Sequence, residues 1–230
     1  MMNNQPDDSN NGKSSPLPFF SIVVTTYNRE LLLKRALESL VAQVEMDWEA
    51  VIVDDESTDN TYSQVLPYLN EHRNFKYLQM VHGGESRAKN EGILASKGRF
   101  VTFLDSDDEY HPEHLASRKE ILLLNPEVSF LYGGVKIIGN MFVPDRTDRN
   151  RIISLYDCVI GGSFFIERNT LIEMKGFGDI LLGPDADLFE RAKEAGVKMM
   201  KTDQPTYIYH HDTVDSITNR MFYDDKVMKI

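Results

Sequence analysis

Near its centre the chain reads Phe100-Val101-Thr102-Phe103-Leu104-Asp105-Ser106-Asp107-Asp108. Five consecutive apolar or β-branched residues are typical of a short strand that is covered on both faces of a parallel sheet. The strand stops abruptly at a cluster of carboxylates. Ligands of open α/β sheets bind beyond the carboxyl ends of the strands, so this cluster is a candidate functional site.

The same pattern occurs upstream. Strands are predicted over residues 20–24, 50–53 and 75–80, and helices over 33–44, 57–69, 85–98 and 111–124. Four rounds of strand and helix with short connections predict an α/β fold with a doubly wound, mostly parallel sheet. Polar clusters at Thr25 to Asn28, Asp54-Asp55 and Asp105 to Asp108 then converge on one sheet edge.

The second half alternates less regularly. Residues 130–132 and 135–138 predict strands or a hairpin around Gly133-Gly134, 140–155 a polar loop, and 161–165 a return to the sheet. A helix is expected after Pro184, with short strands at 197–200 and 207–209. We expect a disordered tail over 1–18 and a single domain over 19–230.

The charge, apolar runs and cysteine number of the chain exclude several classes of function. The 230 residues include 25 Lys plus Arg against 36 Asp plus Glu, a formal net charge of -11, which argues against a nucleic-acid partner. No apolar run reaches the roughly 18 residues of a transmembrane helix, and the polar start lacks the core of a signal peptide. With Cys158 as the one cysteine, a reducing, cytoplasmic setting is expected.

Asp105 and Asp107 alternate directly after a strand. Such carboxylates supply the hard oxygen ligands that Mg²⁺ or Mn²⁺ shares with a diphosphate, although an acidic turn that caps the next helix would have the same sequence. Asp55 closes the neighbouring strand, where its carboxylate can accept hydrogen bonds from a base or a ribose. Thr25 and Tyr27 lie one strand over, where Tyr27 can stack on a base, with the simple end of a strand as the alternative for both.

Asp185, Leu188, Phe189 and Ala192 follow helical spacing, so Asp185 lies on the inward stripe of its helix, whereas Asp187 lies about 200° away. An inward carboxylate that serves a polar cleft is a candidate general base. Complementation of the helix dipole is the alternative. His211, within His210-His211-Asp212, is a candidate metal or phosphate ligand, with a surface histidine pair as the alternative.

Four segments, in this order and spacing, resemble the family 2 glycosyltransferases of the GT-A fold, whose mixed, mostly parallel sheet is flanked by helices. The segments are Ser21-Ile22-Val23-Val24-Thr25-Thr26-Tyr27-Asn28-Arg29, Val53-Asp54-Asp55-Glu56-Ser57-Thr58-Asp59, Gly83-Gly84 through Arg87-Ala88-Lys89-Asn90-Glu91-Gly92 to Gly98, and Phe103-Leu104-Asp105-Ser106-Asp107-Asp108.

The resemblance implies transfer of a single sugar, with inversion, from a UDP-sugar or similar donor to a glycan or lipid-linked saccharide acceptor. It implies that Thr25, Tyr27 and Asp55 hold the base, that Lys89 lies near the donor, and that Asp105 approaches ribose or metal. The remaining implied roles are Asp107 as the principal ligand of Mn²⁺ or Mg²⁺ and Asp185 as the catalytic base. Pro184 stands where the family has Glu. A lipid-linked acceptor would also imply peripheral contact with the inner membrane face.

Three other classes share parts of this pattern. Residues 51–56 are similar to the acidic start of a receiver domain in signalling proteins, but an extra strand–helix unit precedes them. Asp105-x-Asp107 also occurs in aspartate-nucleophile phosphatases, where these motifs open the fold. Pro184 leaves a nucleotide-sugar-binding protein without transfer activity as the third alternative.

Overall fold

The computed structural model describes residues 17–145, 148, 150–180 and 183–212. Its strands are β1 (Phe20–Thr26), β2 (Trp48–Asp54), β3 (Phe75–Gln79), β4 (Phe100–Asp105), β5 (Glu109–Tyr110), β6 (Phe130–Gly139), β7 (Phe142–Pro144), β8 (Ile152–Ser154), β9 (Phe165–Glu167) and β10 (Met199–His211). Its helices are α1 (Leu33–Val41), α2 (Thr61–Glu71), α3 (Glu85–Ala95), α4 (His114–Leu124), α5 (Arg168–Glu173) and α6 (Pro184–Glu194). Residues 1–16 of the predicted tail lie outside the described part.

Eight strands form one sheet in the order β3-β2-β1-β4-β9-β6-β10-β5. The first four of these are parallel, as the alternation of strands and helices predicts. β9 runs antiparallel between β4 and β6, whereas β6 and β10 pair in parallel. The architecture is therefore the predicted α/β class with a mixed, mostly parallel sheet.

Helices cover both faces of the sheet because its central strands are apolar on both sides. In β1, Ile22 and Val24 pack with α1, α2 and α4, and Val23 between them packs with α3, α5 and α6. All three side chains are 0–1% exposed. Complete burial of each of these side chains stabilises the fold by about 1.5–3 kcal/mol. This packing holds β1 in its position in the sheet.

The second half differs from its prediction in three places. Residues 130–139 form a single strand, in which Gly133 and Gly134 (φ 90° and 70°) lie opposite a bulge of β10 between Thr202 and Tyr207 instead of forming a hairpin turn. A Cβ on Gly134 would lie 2.1 Å from the Gln204 carbonyl oxygen of β10, which is likewise one continuous strand instead of two. The predicted loop at 140–155 contains the β7–β8 hairpin, because the apolar pair Val143 and Ile153 gives it a packed face.

Helix ends differ slightly as well. α4 begins at His114 instead of His111, and α2 begins at Thr61, where Asp59 accepts the Thr61 backbone N–H at 3.0 Å. Among the helices that the structure describes, none has the length and apolar character to cross a membrane.

Candidate active site

The carboxyl ends of β1, β2 and β4 lie side by side. Thr25 is opposite Val53 on one side and Asp105 on the other, and Thr26 is opposite Asp54. The polar clusters that follow these strands therefore meet at one edge of the sheet, as their spacing predicts.

Asp55 organises the turn at residues 82–84. Its carboxylate accepts the backbone N–H groups of Gly83 and Gly84 at 2.7 and 2.8 Å, and its Oδ2 lies 2.9 Å from His82 Nδ1. Since a carboxylate has about four acceptor positions, about one remains for a ligand N–H or O–H. Asp55 therefore holds this turn in place and can accept about one further hydrogen bond from a ligand.

Tyr27 and His82 form an aromatic surface beside Asp55. Their ring centroids are 4.5 Å apart, and the Tyr27 residue and the His82 side chain are 45% and 52% exposed. An exposed aromatic pair next to one free acceptor position suits a planar heterocycle that carries an N–H group. His82 was not predicted from the sequence; its position directly before Gly83-Gly84 was the available signal.

Lys89 lies beneath the acidic cluster rather than in the open cleft. Its side chain is 2% exposed, and Nζ lies 2.6 Å from Glu85, 3.5 Å from Asp105 and 3.8 Å from Asp185. Burial lowers the pKa of Lys89, but the three carboxylates outweigh this and raise it well above its ordinary value. The ammonium group remains charged and links two carboxylates that the sequence assigns to different roles.

Burial raises the pKa of Asp105 to about 7, with Lys89 opposing the rise and Glu85, Asp185 and Asp107 adding to it. Burial also raises the pKa of Asp107, against the effect of Arg29 and Arg35. One ammonium group therefore does not neutralise the carboxylates gathered here, and a divalent cation would favour their ionised forms.

Asp185 lies in the first turn of α6. Gly183 precedes this turn in the left-handed conformation (φ 68°), and Pro184 is the first helical residue. Asp185 Oδ2 accepts the Gly161 backbone N–H at 3.0 Å, whereas Oδ1 has no hydrogen-bond partner among the described residues. Burial raises the pKa of Asp185, with Lys89 opposing the rise. The side chain is 27% exposed, with Oδ1 3.8 Å from Lys89 Nζ, and a partly exposed carboxyl group in this position suits proton abstraction.

Asp187 faces elsewhere, as the helical spacing predicts. Its Oδ2 accepts Arg191 Nε at 2.8 Å, one turn further along α6. Arg191 also donates to the carbonyl groups of Met174 and Gly176 at 2.7 Å. Asp187 therefore anchors the chain before α6, and Asp185 alone of the pair enters the acidic cluster.

The two histidines of β10 are held by protein groups. His210 Nε2 lies 2.9 Å from Glu109, and its backbone N–H donates to Asp108 at 2.7 Å. His211 is 2% exposed, with Nδ1 beside the Asn140 carbonyl oxygen. In the described ranges no three His, Cys, Asp or Glu side chains are grouped to hold a metal ion, and the role of His211 as a metal or phosphate ligand stays a prediction.

The carboxylate oxygens at this edge nevertheless suit a hard cation as metal ligands. Mg²⁺ and Mn²⁺ are commonly held by one or two carboxylates, with substrate phosphates and water completing the shell. Asp105 and Asp107 supply two such carboxylates, with the Lys89 ammonium group 3.5 Å from Asp105 and the charges of Arg29 and Arg35 acting on Asp107.

The family model "Glycosyl transferase family 2" matches residues 21–168, which include β1 to β4, the acidic cluster and β9. The chain belongs to glycosyl transferase family 2.

Two bacterial glucosyltransferases illustrate the similarity. The UDP-Glc:alpha-D-GlcNAc-diphosphoundecaprenol beta-1,3-glucosyltransferase of Escherichia coli is 30% identical over 68% of this chain and 63% of its own length. The GalNAc(5)-diNAcBac-PP-undecaprenol beta-1,3-glucosyltransferase of Campylobacter jejuni is 30% identical over 86% of this chain and 67% of its own length. The chain thus spans about two thirds of these relatives.

Solved structures of other glycosyltransferases share the fold. Staphylococcus aureus TarS in complex with UDP-GlcNAc aligns with a TM-score of 0.71 at 24% identity, over 83% of this chain and 58% of that one. The Pyrobaculum calidifontis mannosyltransferase in complex with GDP-Man and Mn²⁺ also aligns with a TM-score of 0.71, at 18% identity, over 90% and 60%. The family 2 chain described here therefore has the GT-A fold.

Proposed function

We propose that this protein transfers a single sugar from a UDP-sugar to a hydroxyl group of a lipid-linked saccharide, with inversion at the anomeric carbon. The observation that carries the proposal is the position of Asp185. Its Oδ1 accepts no hydrogen bond from the described residues and lies 3.8 Å from Lys89 Nζ, which also contacts Asp105 of the Asp105-x-Asp107 loop, at the edge where Asp55 and Tyr27 also lie.

The two ends of a nucleotide sugar match two regions of this edge. The base would stack on the Tyr27–His82 surface and donate to the remaining acceptor position of Asp55, with Thr25 at its side. The diphosphate would lie towards Asp105 and Asp107, which would hold a divalent cation. When bound, this cation stabilises negative charge on the departing nucleoside diphosphate.

Asp185 would accept the proton of the acceptor hydroxyl. As that oxygen forms its bond to the anomeric carbon, the bond from the anomeric carbon to the diphosphate oxygen breaks, and the electron pair leaves with the diphosphate. With Asp185 as the base and the acceptor oxygen as the nucleophile, this displacement is direct and inverts the anomeric centre. The buried Lys89 would keep Asp105 and Asp185 close together despite their like charges.

The names of two relatives support the acceptor class. Both curated relatives act on saccharides carried by diphosphate-linked undecaprenol, according to their names. The same acceptor chemistry here would bring the protein to a membrane surface from the cytoplasmic side.

A thermal-shift panel tests the donor. We expect stabilisation by UDP-sugars with Mn²⁺ or Mg²⁺, and less with GDP-sugars or with EDTA. Transfer of the stabilising sugar to a diphosphate-lipid acceptor, followed by NMR of the new anomeric proton, then tests reaction and stereochemistry. Donor binding without any transfer would instead support the alternative of a binding protein, and retention would remove the single-displacement mechanism.

A further inference from the structure

Asp108 is the third carboxylate of the acidic loop at residues 105–108, and it points away from the cleft. It is 1% exposed, and its Oδ2 accepts the Tyr207 hydroxyl at 2.6 Å while Oδ1 accepts the His210 backbone N–H at 2.7 Å. Both donors belong to β10, which is remote in sequence but pairs with β5, the strand directly after the loop. The acidic loop is therefore tied to β10 through one side chain.

The same loop is closed on itself. The Asp108 N–H donates to the Asp105 carbonyl oxygen at 3.0 Å, and Arg35 donates to the carbonyl oxygen of Asp107. A displacement of Asp108 would consequently move the two carboxylates that precede it. The tie to β10 thus sets where Asp105 and Asp107 lie.

Tyr207 also contacts the segment that holds Asp185. A Cβ on Gly162 would lie 2.1 Å from the Tyr207 hydroxyl oxygen, so the 161–163 turn packs directly against that group. The neighbouring Gly161 donates its N–H to Asp185. Tyr207 is 0% exposed, and its ring is fixed beside Tyr110 and His114. One rigid phenol therefore touches both halves of the site.

We propose that Tyr207 and Asp108 are positioning residues that fix the acidic loop at the correct distance from Asp185. This inference rests on the proposed function, since it assigns the loop to the donor and Asp185 to the acceptor. Neither residue contacts the reacting atoms; each acts through its neighbours. A displacement of the sugar donor by about 1 Å relative to the base is enough to lower turnover by about 10²-fold.

Tyr207→Phe tests this positioning role with the smallest change, since it removes one hydroxyl group and keeps the ring. Tyr110→Phe is the matched control. Tyr110 is paired with Tyr207 across β5 and β10, is 2% exposed and also has a bonded hydroxyl, but that group contacts Thr102 and Phe103 instead of the acidic loop. Asp108→Asn is the second variant, because Asn can satisfy only one of the two donors at full strength.

Hydrogen exchange of the protein without ligand gives a readout that is independent of activity. In Tyr207→Phe we expect amides of residues 105–109 and 161–163 to exchange at least about tenfold faster, with unchanged rates in Tyr110→Phe. Calorimetry should give a Kd for UDP with Mn²⁺ that is at least about fivefold weaker, and kcat should fall by about tenfold or more. In the double variant with Asp108→Asn the losses should be less than additive, because both changes break one contact.

Unchanged hydrogen exchange at both segments in Tyr207→Phe would overturn the positioning role of Tyr207 and Asp108. Equal losses of UDP affinity and kcat in Tyr207→Phe and Tyr110→Phe would overturn it as well. Failure of the unaltered protein to bind any nucleotide sugar would instead overturn the proposed function. The two failures are therefore distinguishable.

Discussion

Gly161 donates its backbone N–H to Asp185 Oδ2 at 3.0 Å, and the two residues are in direct van der Waals contact. A Cβ on Gly161 would lie 2.4 Å from the Asp185 carboxyl carbon. Because Gly161 has no side chain, the carboxyl group of Asp185, the proposed base, can lie directly against it.

Gly161→Ala should displace Asp185 while leaving the donor side intact. We expect kcat to fall by at least about tenfold, because a base must reach hydrogen-bond distance of the proton that it removes. The Kd for UDP with Mn²⁺ should change by less than about twofold. Steady-state kinetics and calorimetry check both values, and unaltered kcat would show that the contact does not orient the base.

Asp185→Asn should separate binding from turnover. The amide keeps the shape of the side chain but cannot take a proton, so we expect kcat to fall by about 10²-fold or more with little change in the Kd for UDP. Asp187→Asn is the control on the same helix turn, since Asp187 pairs with Arg191 instead of entering the cluster. Equal loss of kcat in the two variants would contradict the assignment of the base.

The parallel half of the fold was predictable because its signals are local. β1, β2 and β4 each contain a continuous apolar run, and each ends at polar residues whose meeting follows from parallel topology alone. The separation of Asp185 from Asp187 was equally readable, because helical spacing fixes direction.

The contacts made by β10 were not predictable in this way. Tyr207 reaches Asp108 across 99 positions of sequence, through a bulge at Thr202 to Tyr207 that shifts the strand register. A short polar interruption in a strand reads locally as a break, so the sequence predicts two short strands. The bond from His82 to Asp55 depends likewise on a turn whose geometry only the tertiary structure sets.

Removal of the Asp107 carboxylate should abolish the metal dependence of donor binding. In Asp107→Ala we expect UDP to bind equally with Mn²⁺ and with EDTA, because one remaining carboxylate holds a hard cation poorly. Calorimetry under both conditions measures this. Asp47→Ala is the control at the opposite sheet edge, where Asp47 pairs with Lys119. A preserved Mn²⁺ effect in Asp107→Ala would exclude Asp107 as a principal ligand.

His82→Ala should weaken UDP binding by about tenfold, because loss of one aromatic stacking partner costs about 1–3 kcal/mol. His82→Phe keeps a ring but removes the bond to Asp55, so an intermediate Kd would show that both contacts contribute. His72→Ala is the control, since His72 stacks on Tyr68 away from the site. Equal UDP affinity in the unaltered protein and His82→Ala would remove His82 from the base surface.

Acidification should destabilise the protein through His114. This side chain is 0% exposed, its Nδ1 lies 2.8 Å from Thr206 Oγ1, and its ring packs on Tyr110 at 4.0 Å. Burial, together with Arg118 and His111, holds the pKa of His114 well below its ordinary value of 6.5. The unfolded chain therefore binds a proton near pH 6.5 that the folded chain rejects.

The consequence has a definite sign. As pH falls below 6.5, this one group lowers the free energy of unfolding by about 1.4 kcal/mol per pH unit, until the folded pKa is reached. His114→Gln has no such group, so its stability should fall less steeply between pH 6.5 and 5, even if it is less stable at pH 7.5. Urea unfolding of both proteins across this range measures the slopes. Parallel slopes would mean that His114 takes up its proton without unfolding, and that the aromatic cluster which also fixes Tyr207 tolerates a charge.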